Sequence, residues 1–203
     1  MKLFQKLLLL TCAVALGACT HSFRTNVATF HEMGVPGGEK VVLTPMNPEK
    51  HDSLEYRQYA GALASHLKSY GYLEAGKNQP ELIVGFDVTI NEGREKLRNR
   101  PNPFPHPYWD VRWPRGSYWG SFVYDPFYSH DTVVVAGTYY TATLSIELRK
   151  PDGQLIFEGR AETETRSKAL PEIVPLLAEA LFQNFPGENG VTRKVVITPP
   201  ETE

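Results

Sequence analysis

Cysteine is nearly absent from this chain of 203 residues, because its two copies, Cys12 and Cys19, both lie near the N-terminus. Past position 19 there is no thiol for a disulfide, a thiolate metal site or a cysteine nucleophile. A dominant charge is missing too: 21 Lys and Arg residues oppose 23 Asp and Glu residues, which gives a formal net charge of -2. Without an excess of cations, the composition excludes a general nucleic-acid-binding protein.

Long apolar runs are also missing, since the N-terminal run at residues 7–16 has ten residues and a membrane-spanning helix needs about 20. The run is preceded by Lys2 and Lys6, and it leads into Leu16-Gly17-Ala18-Cys19. A positive start, a short apolar stretch and small residues before a cleavage site are typical of a secretory signal peptide. The last four residues resemble the lipobox of bacterial lipoproteins, in which the cysteine is lipidated. An ordinary signal peptide is the alternative.

We therefore expect a lipoprotein signal peptide at residues 1–18, a lipid on Cys19 and a single periplasmic domain over residues 19–203. Several acyl chains on one cysteine anchor a protein firmly, because each buried methylene contributes about 0.8 kcal/mol. Thr20 follows the cysteine, whereas an Asp at this place retains enteric lipoproteins in the inner membrane. The expected location is therefore the periplasmic face of the outer membrane.

The first half of the expected domain contains two short strand candidates and one helix. The strand candidates span residues 23–30 and 40–44, with a flexible Gly-rich turn between them. The spacing of apolar residues predicts a helix over 53–70, with Asp52 as N-cap, Glu55 three residues on and Gly71 at its end. The apolar face of this helix is expected to comprise Tyr56, Ala60, Leu63, Leu67 and Tyr70.

Three later segments alternate apolar and polar residues, which is typical of strands with one buried face. They cover residues 82–90, 140–149 and 155–164, and Pro151-Asp152-Gly153 predicts a hairpin between the last two. A second helix, with Pro171 and Pro175 in or near its first turn, and a last strand over 194–198 should follow. The apolar stripe that predicts this helix consists of Leu170, Ile173, Val174, Leu177, Leu181, Phe182 and Phe185. The order predicts an α+β fold: a two-layer sandwich of a mainly antiparallel sheet with two helices on one face.

Several short motifs resemble those of one bacterial protein family. They are Leu67-Lys68-Ser69-Tyr70-Gly71-Tyr72 and Pro80-Glu81-Leu82-Ile83-Val84 in the first half, and Gly137-Thr138-Tyr139, Leu155-Ile156-Phe157-Glu158-Gly159-Arg160-Ala161 and Phe185-Pro186 in the second. Over residues 50–90 and 136–187 the chain resembles the lipoprotein family called domain of unknown function 4136. This resemblance implies an envelope lipoprotein with an α+β domain, and the family has no established catalytic residues.

The most unusual part of the sequence is an insertion of 39 residues, 94–132, between two predicted strands. It holds all three tryptophans, ten of the 23 aromatic residues and six prolines. Long loops in compact domains are commonly functional or disordered, and disordered segments are poor in aromatics. Between positions 94 and 115, six cations oppose Glu95 and Asp110. We therefore predict an ordered loop that binds an anionic lipid, a glycan or an envelope protein.

The candidate binding residues are the arginines and tryptophans of this insertion: Arg98, Arg100, Trp109, Arg112, Trp113, Arg115 and Trp119. Arginine and tryptophan dominate the energetic centres of protein interfaces. The strands at the two ends of the insertion, around Ile90 and Val133, are expected to pair directly. One alternative is that the aromatic residues pack the loop onto the domain, and another is that the polar sheet face meets the partner.

No catalytic, metal or cofactor site is expected. None of the six histidines lies three or four residues from another, so the sequence has no local metal-binding pair, and we expect surface or loop positions for them. Gly116-Ser117-Tyr118-Trp119-Gly120 does not match a Gly-x-Ser-x-Gly nucleophile turn. The sequence therefore predicts a non-catalytic binding or assembly factor, anchored to the membrane through Cys19, with no nucleic-acid partner. The alternative is a transport-auxiliary lipoprotein that holds a lipid or a glycan.

Overall fold

The computed structural model describes residues 22–34, 36–101 and 132–198, and these ranges contain eight strands and two helices. In chain order the strands are β1 (Phe23–His31), β2 (Lys40–Pro45), β3 (Leu73–Glu74), β4 (Leu82–Ile90), β5 (Arg94–Pro101), β6 (Thr132–Arg149), β7 (Leu155–Thr165) and β8 (Val191–Ile197). The helices are α1 (Leu54–Ser69) and α2 (Leu170–Phe182), and a 3-10 turn at Pro48–Lys50 precedes α1. Neither of these helices is long and apolar enough to cross a membrane. The chain divides into two compact units, one of which is residues 93–139 and the other the remaining described residues.

The sheet is large and mostly antiparallel. Seven strands lie in the order β3-β2-β4-β6-β7-β1-β8, in which β2 runs parallel to β3 and β4. The eighth strand, β5, pairs with the first part of β6, from Arg94 opposite Tyr139 to Pro101 opposite Thr132. The described residues therefore confirm a mixed α and β fold with a mainly antiparallel sheet and two helices.

Alternate burial along the strands confirms the strands that the sequence predicted. In β4 the residues at positions 82, 84, 86 and 88 are buried, and the residues between them are half-buried. Val84 lies opposite Leu148 and Val88 opposite Leu144, which places the apolar residues of β4 and β6 on one face. The predicted hairpin between β6 and β7 is also present, and Gly153 takes a φ of +91° in its turn.

Both helices bury apolar residues in the same cluster as this sheet face. Leu63 of α1 and Leu177 and Leu181 of α2 belong to that cluster and are fully buried. Gly159 of β7 provides a close approach there, because a Cβ at this position would lie 2.8 Å from ring carbons of Phe157. A larger residue at position 159 would force the Phe157 ring to shift within the core.

The start of α1 differs from the prediction by one residue. Ser53, not Asp52, is the N-cap, and its Oγ accepts a hydrogen bond from the backbone N–H of Tyr56 at 3.4 Å. Asp and Ser are both good N-caps, so a sequence pattern does not separate two adjacent candidates. The end agrees with the prediction, since Tyr70 is the C-cap and Gly71 follows with a φ of +93°.

The prediction of the apolar face of α1 omitted one buried residue, Tyr59. Tyr59 is buried, whereas Ala60 and Tyr70 are half-buried. Tyr59 satisfies its hydroxyl by donating to the Glu55 carboxylate at 2.5 Å on the same helix. A tyrosine with a local acceptor can bury its ring, and the spacing of apolar residues does not reveal that acceptor.

Two predictions near the C-terminus were wrong as well: the position of Pro175 in its helix and the start of the last strand. Pro175 lies inside α2 and not near its first turn, and it removes the hydrogen bond that a backbone N–H there would donate. β8 begins at Val191, three residues before the predicted start. Arg193 faces the core side of β8, where its Nη2 donates to the Leu181 carbonyl at 3.2 Å. Because a charged residue lies on the core side, the first part of β8 does not alternate apolar and polar residues, and its start was not predicted.

Replacing Leu144 with alanine should lower the free energy of unfolding by about 2–5 kcal/mol, because this side chain is fully buried in the core cluster. The matched control is Thr143→Ala on the opposite, half-buried face of β6, which should cost less than about 0.5 kcal/mol. Urea titrations of the two variants and the parent chain measure the difference. Equal losses would show that the two faces of β6 are assigned wrongly.

Candidate binding surface

The insertion that the sequence predicted as a loop begins and ends in strands. Its first part is β5, which pairs antiparallel with residues 132–139 of β6. We call this pair, β5 with residues 132–139, the basic ribbon. The loop prediction was wrong here because the described residues of β5 include no buried one, and the strand predictions relied on alternate burial of apolar residues.

The strands at the two ends of the insertion pair directly, as expected, since β4 pairs with β6, but this pairing does not extend to Val133. Ile90 lies opposite Ala142, and Val133 lies opposite Arg100. The segment between the paired parts of β4 and β6 is therefore longer than predicted. It corresponds to the compact unit at residues 93–139.

The basic ribbon carries its cations on one face. Side chains alternate along a strand, so every second residue of β5 points to the same side. The residues on that side are Arg94, Lys96, Arg98 and Arg100, and across from them on β6 lie Tyr139, Gly137, Val135 and Val133. Glu95, on the other side, is the single acidic residue in the sequence of the ribbon. The ribbon therefore presents a face of concentrated positive charge.

Tyr139 organises the cationic face. Tyr139 is 7% exposed, and the Arg98 guanidinium carbon lies 4.8 Å from its ring centroid. Lys96 Nζ lies 5.6 Å from the same centroid. Both distances are within the range of cation–π attraction, which is about 6 Å. Two of the cations are thus held over one aromatic ring.

Arg98 and Arg100 are the cations of the ribbon that are best placed to meet a partner. Both are exposed. Among the residues that the structure describes, no carboxylate forms an ion pair with either of them. An exposed arginine offers a planar set of N–H donors that fits a carboxylate or a phosphate.

The other face of the ribbon carries exposed apolar residues next to the polar Glu95, Asn99 and Thr138. Leu97 is 71% exposed, and Val134 is 59% exposed. Both lie on the face opposite the cations, together with the exposed Ala136. A contiguous exposed apolar patch commonly marks an interaction surface. The ribbon therefore offers exposed apolar residues on the face opposite its cations.

Two of the seven predicted binding residues, Arg98 and Arg100, lie on this ribbon. The other five, Trp109, Arg112, Trp113, Arg115 and Trp119, lie outside the described residues, as does Cys19, and their roles stay predictions. The predicted binding residues did not include Lys96, Leu97 or Tyr139. The signal was present, because a cation at every second position from 94 to 100 predicts a strand with one charged face.

Two of the three described histidines, His31 and His66, make contacts within the fold, and His51 is exposed. The His66 ring stacks on Phe182 at a centroid distance of 5.3 Å, and burial lowers its pKa. His66 is therefore half-buried between α1 and α2, where the sequence had predicted a surface position. Nε2 of His31 lies 3.2 Å from the Gly187 carbonyl. Within residues 22–34, 36–101 and 132–198, no group of three or more His, Cys, Asp or Glu side chains is arranged to hold a metal ion.

A family model described as a domain of unknown function (DUF4136) matches residues 25–187. The match covers most of the chain, from β1 to the segment after α2. The chain belongs to this family. The matched range includes β1 and β2, which lie outside the two segments on which the sequence resemblance rested. It also includes the basic ribbon.

Two individual proteins show a weaker similarity. An uncharacterized protein of Zymomonas mobilis is 25% identical over 210 residues, which cover 84% of this chain and 79% of that protein. The crystal structure of a PDZ domain protein from Parabacteroides distasonis is similar with a TM-score of 0.46 and 11% identity. That match covers 90% of this chain, which spans 40% of the length of the other chain. The comparisons therefore assign a family to this chain, without an activity.

Proposed function

We propose that this DUF4136 protein is a lipid-anchored lipoprotein on the periplasmic face of the outer membrane, where it acts as a non-catalytic binding or assembly factor. The observation that carries the proposal is the exposed cationic face of the basic ribbon. The anchor is inferred from Leu16-Gly17-Ala18-Cys19 and from Thr20 after it. The partner is an envelope protein with an anionic surface.

Segregation of charge supports this choice of surface. Without residues 1–18, the chain has 19 cations against 23 acidic residues, so it is acidic as a whole. Six of those cations lie between positions 94 and 115, where there are two acidic residues. Locally concentrated charge of opposite sign to the rest of the protein steers and orients an anionic partner.

The chemistry of the ribbon supports binding and not catalysis. Nucleophilic or acid–base catalysis requires a nucleophile or base held against a second polar group. The described residues of the cationic face offer guanidinium and ammonium groups around the Tyr139 ring. These groups bind anions strongly, and Arg and aromatic residues are enriched at protein interfaces.

We also infer a two-layer arrangement with both helices on one face of the sheet. The support is that buried residues of both helices share one cluster with the alternate buried residues of the strands. The other sheet face then carries half-buried or exposed polar residues such as Glu147, Glu158 and Arg160. That polar face is the second surface available to a partner.

A lipid-binding role is the alternative, and the exposed apolar residues of the ribbon favour it. Exposed Leu97 and Val134 lie on the face of the ribbon opposite the cations. Such a pairing of apolar and basic surface suits the boundary between anionic head groups and acyl chains. Direct binding to pure lipid vesicles separates this role from the capture of an envelope protein.

Replacing Arg98 and Arg100 together with glutamine should remove partner binding and leave the fold intact, because both side chains are exposed. If anionic lipid is the partner, loss of about 1 kcal/mol per cation weakens binding to phosphatidylglycerol vesicles about thirtyfold. The matched control replaces Arg24 and Arg57, two exposed arginines of the other unit, with glutamine.

Two measurements decide the outcome. Crosslinking in isolated outer membranes followed by identification of the linked proteins reports a protein partner, and co-sedimentation with phosphatidylglycerol vesicles reports a lipid partner. Loss in the ribbon variant alone supports the proposal, with the assay that changes identifying the partner class. Equal results for both double variants in both assays would move the site away from the ribbon.

Replacing Cys19 with alanine should abolish acylation, because a lipobox cysteine is the residue that receives the lipid. Metabolic labelling with a fatty-acid probe measures this directly, and membrane fractionation follows the location. The matched control is Cys12→Ala, which removes a thiol from inside the apolar run of the signal. Undiminished label on the Cys19 variant would contradict the lipoprotein assignment.

A further inference from the structure

One edge of β5 has no neighbouring strand among the residues that the structure describes. β5 pairs with β6 on one side, and no other described strand pairs with it. We call the side away from β6 the outer edge. In residues 97–100, no backbone group forms a hydrogen bond with a described residue other than those of β6. Alternate N–H and C=O groups of a strand point to each side, so the outer edge offers donors and acceptors to another strand.

The cations of β5 have the spacing of side chains on one face of a strand. Arg98 and Arg100 are two residues apart, which corresponds to about 6.8 Å along an antiparallel strand. A strand added at the outer edge has the same repeat, and the Cβ atoms of its side chains lie about 5 Å from those opposite. Acidic residues at every second position of that strand therefore lie opposite successive arginines. Each guanidinium can then donate two N–H groups to one carboxylate.

The face of β5 opposite the cations favours a different type of residue in the added strand. Leu97 lies on that face and is 71% exposed. The residues of an added strand that alternate with its acidic ones lie on the same face as Leu97. Threonine and valine suit these positions, because they favour strands and pack against apolar side chains. The pattern that fits β5 is therefore an acidic residue alternating with a β-branched one.

Charge argues against a second copy of β5 as the added strand. Residues 94–101 contain four cations and one acidic residue, Glu95. Two such strands repel each other, and cations on exposed strand edges commonly prevent self-association in this way. The same cations attract an acidic strand. The charge of β5 therefore selects between the two kinds of partner.

We propose that β5 binds its partner by strand addition: an extended segment with acidic residues at every second position pairs along the outer edge and places carboxylates opposite Arg98 and Arg100. The inference rests on the proposed function, because it names the partner segment of the same basic ribbon. Backbone hydrogen bonds contribute to the affinity of such a complex, and the alternating side chains determine its specificity. A lipid head group has no backbone to pair and uses the arginines alone.

The test measures the binding of fluorescent peptides to the chain from residue 19 onward by fluorescence polarisation. One peptide alternates glutamate with threonine and valine, and its matched control has the same composition with all glutamates in one block. The alternating peptide should bind about tenfold more tightly or better, because only its order places carboxylates opposite successive arginines. Equal affinity of the two peptides, or no binding of either, would overturn the proposal.

Methylation of the peptide's amide nitrogens tests backbone pairing separately from charge. An added strand directs the N–H of only every second residue at its neighbour. Two versions of the alternating peptide, each methylated on one of the two alternate sets of amides, keep the charge of the parent peptide. At least one version should lose binding. Undiminished binding of both would contradict strand addition and indicate a purely electrostatic contact.

Two further measurements locate the complex on β5. Arg98→Gln combined with Arg100→Gln should weaken binding of the alternating peptide about tenfold or more, since both charged donors are lost. The matched control, Arg24→Gln combined with Arg57→Gln, should bind as the parent does. The alternating peptide should also slow hydrogen exchange of backbone amides in residues 97–100. Unchanged exchange there would place the peptide on another surface and overturn the proposal.

Failure of this inference is distinguishable from failure of the proposed function. If the Arg98 and Arg100 double variant loses crosslinking in outer membranes while the order and methylation of the peptides have no effect, the ribbon binds its partner without strand addition. If crosslinking and vesicle co-sedimentation are also unchanged in that variant, the ribbon is not the binding surface and both proposals are wrong.

Discussion

Burial of one face of the sheet is the constraint on which the rest of this structure depends. Alternate residues of β4, β6 and β7 enter one core cluster, and both helices contribute their buried residues to it. The period of two fixes which residues are apolar and sets the register between neighbouring strands. Polar residues lie mainly on the other face, at the ends of the strands and in segments outside the core, with Thr25, Thr29, Thr163 and Arg193 as exceptions on the core side. The basic ribbon lies in such a place.

Elements that the core specifies were predictable, because burial leaves a periodic pattern in the sequence. β4 was predicted with its observed bounds, Leu82–Ile90, and the Gly71 end of α1 was predicted since that position takes a positive φ. β5 was missed because both of its faces are exposed and no apolar alternation marks it. Tyr59 was missed for a different reason, since its burial depends on a hydrogen bond to Glu55 that spacing does not show.

Candidate binding residues were likewise predictable only where the sequence carries a local pattern. Arg98 and Arg100 were predicted because unusual residues cluster along a continuous stretch of chain. Tyr139 was not predicted as a site residue, because its place next to the cations depends on the pairing of β5 with β6. The contacts of its ring with Arg98 and Lys96 come from packing and leave no trace in composition or spacing. Sequence reasoning therefore finds clusters of unusual residues better than it finds contacts between separate segments.

The central claim is that the fold depends on the sheet and its two helices, whereas partner recognition depends on residues 93–139. Ile90 lies opposite Ala142, and Asn91 N–H donates to the Thr141 carbonyl at 3.1 Å, so a short Gly-containing turn can join the chain directly before and after that unit. The most direct measurement compares this shortened chain with the intact one in thermal melting and in partner crosslinking and vesicle co-sedimentation. The account predicts a cooperative melt close to that of the intact chain, with binding lost. An unfolded product would show that residues 93–139 are part of the core, and a folded product that still binds would place recognition on another surface.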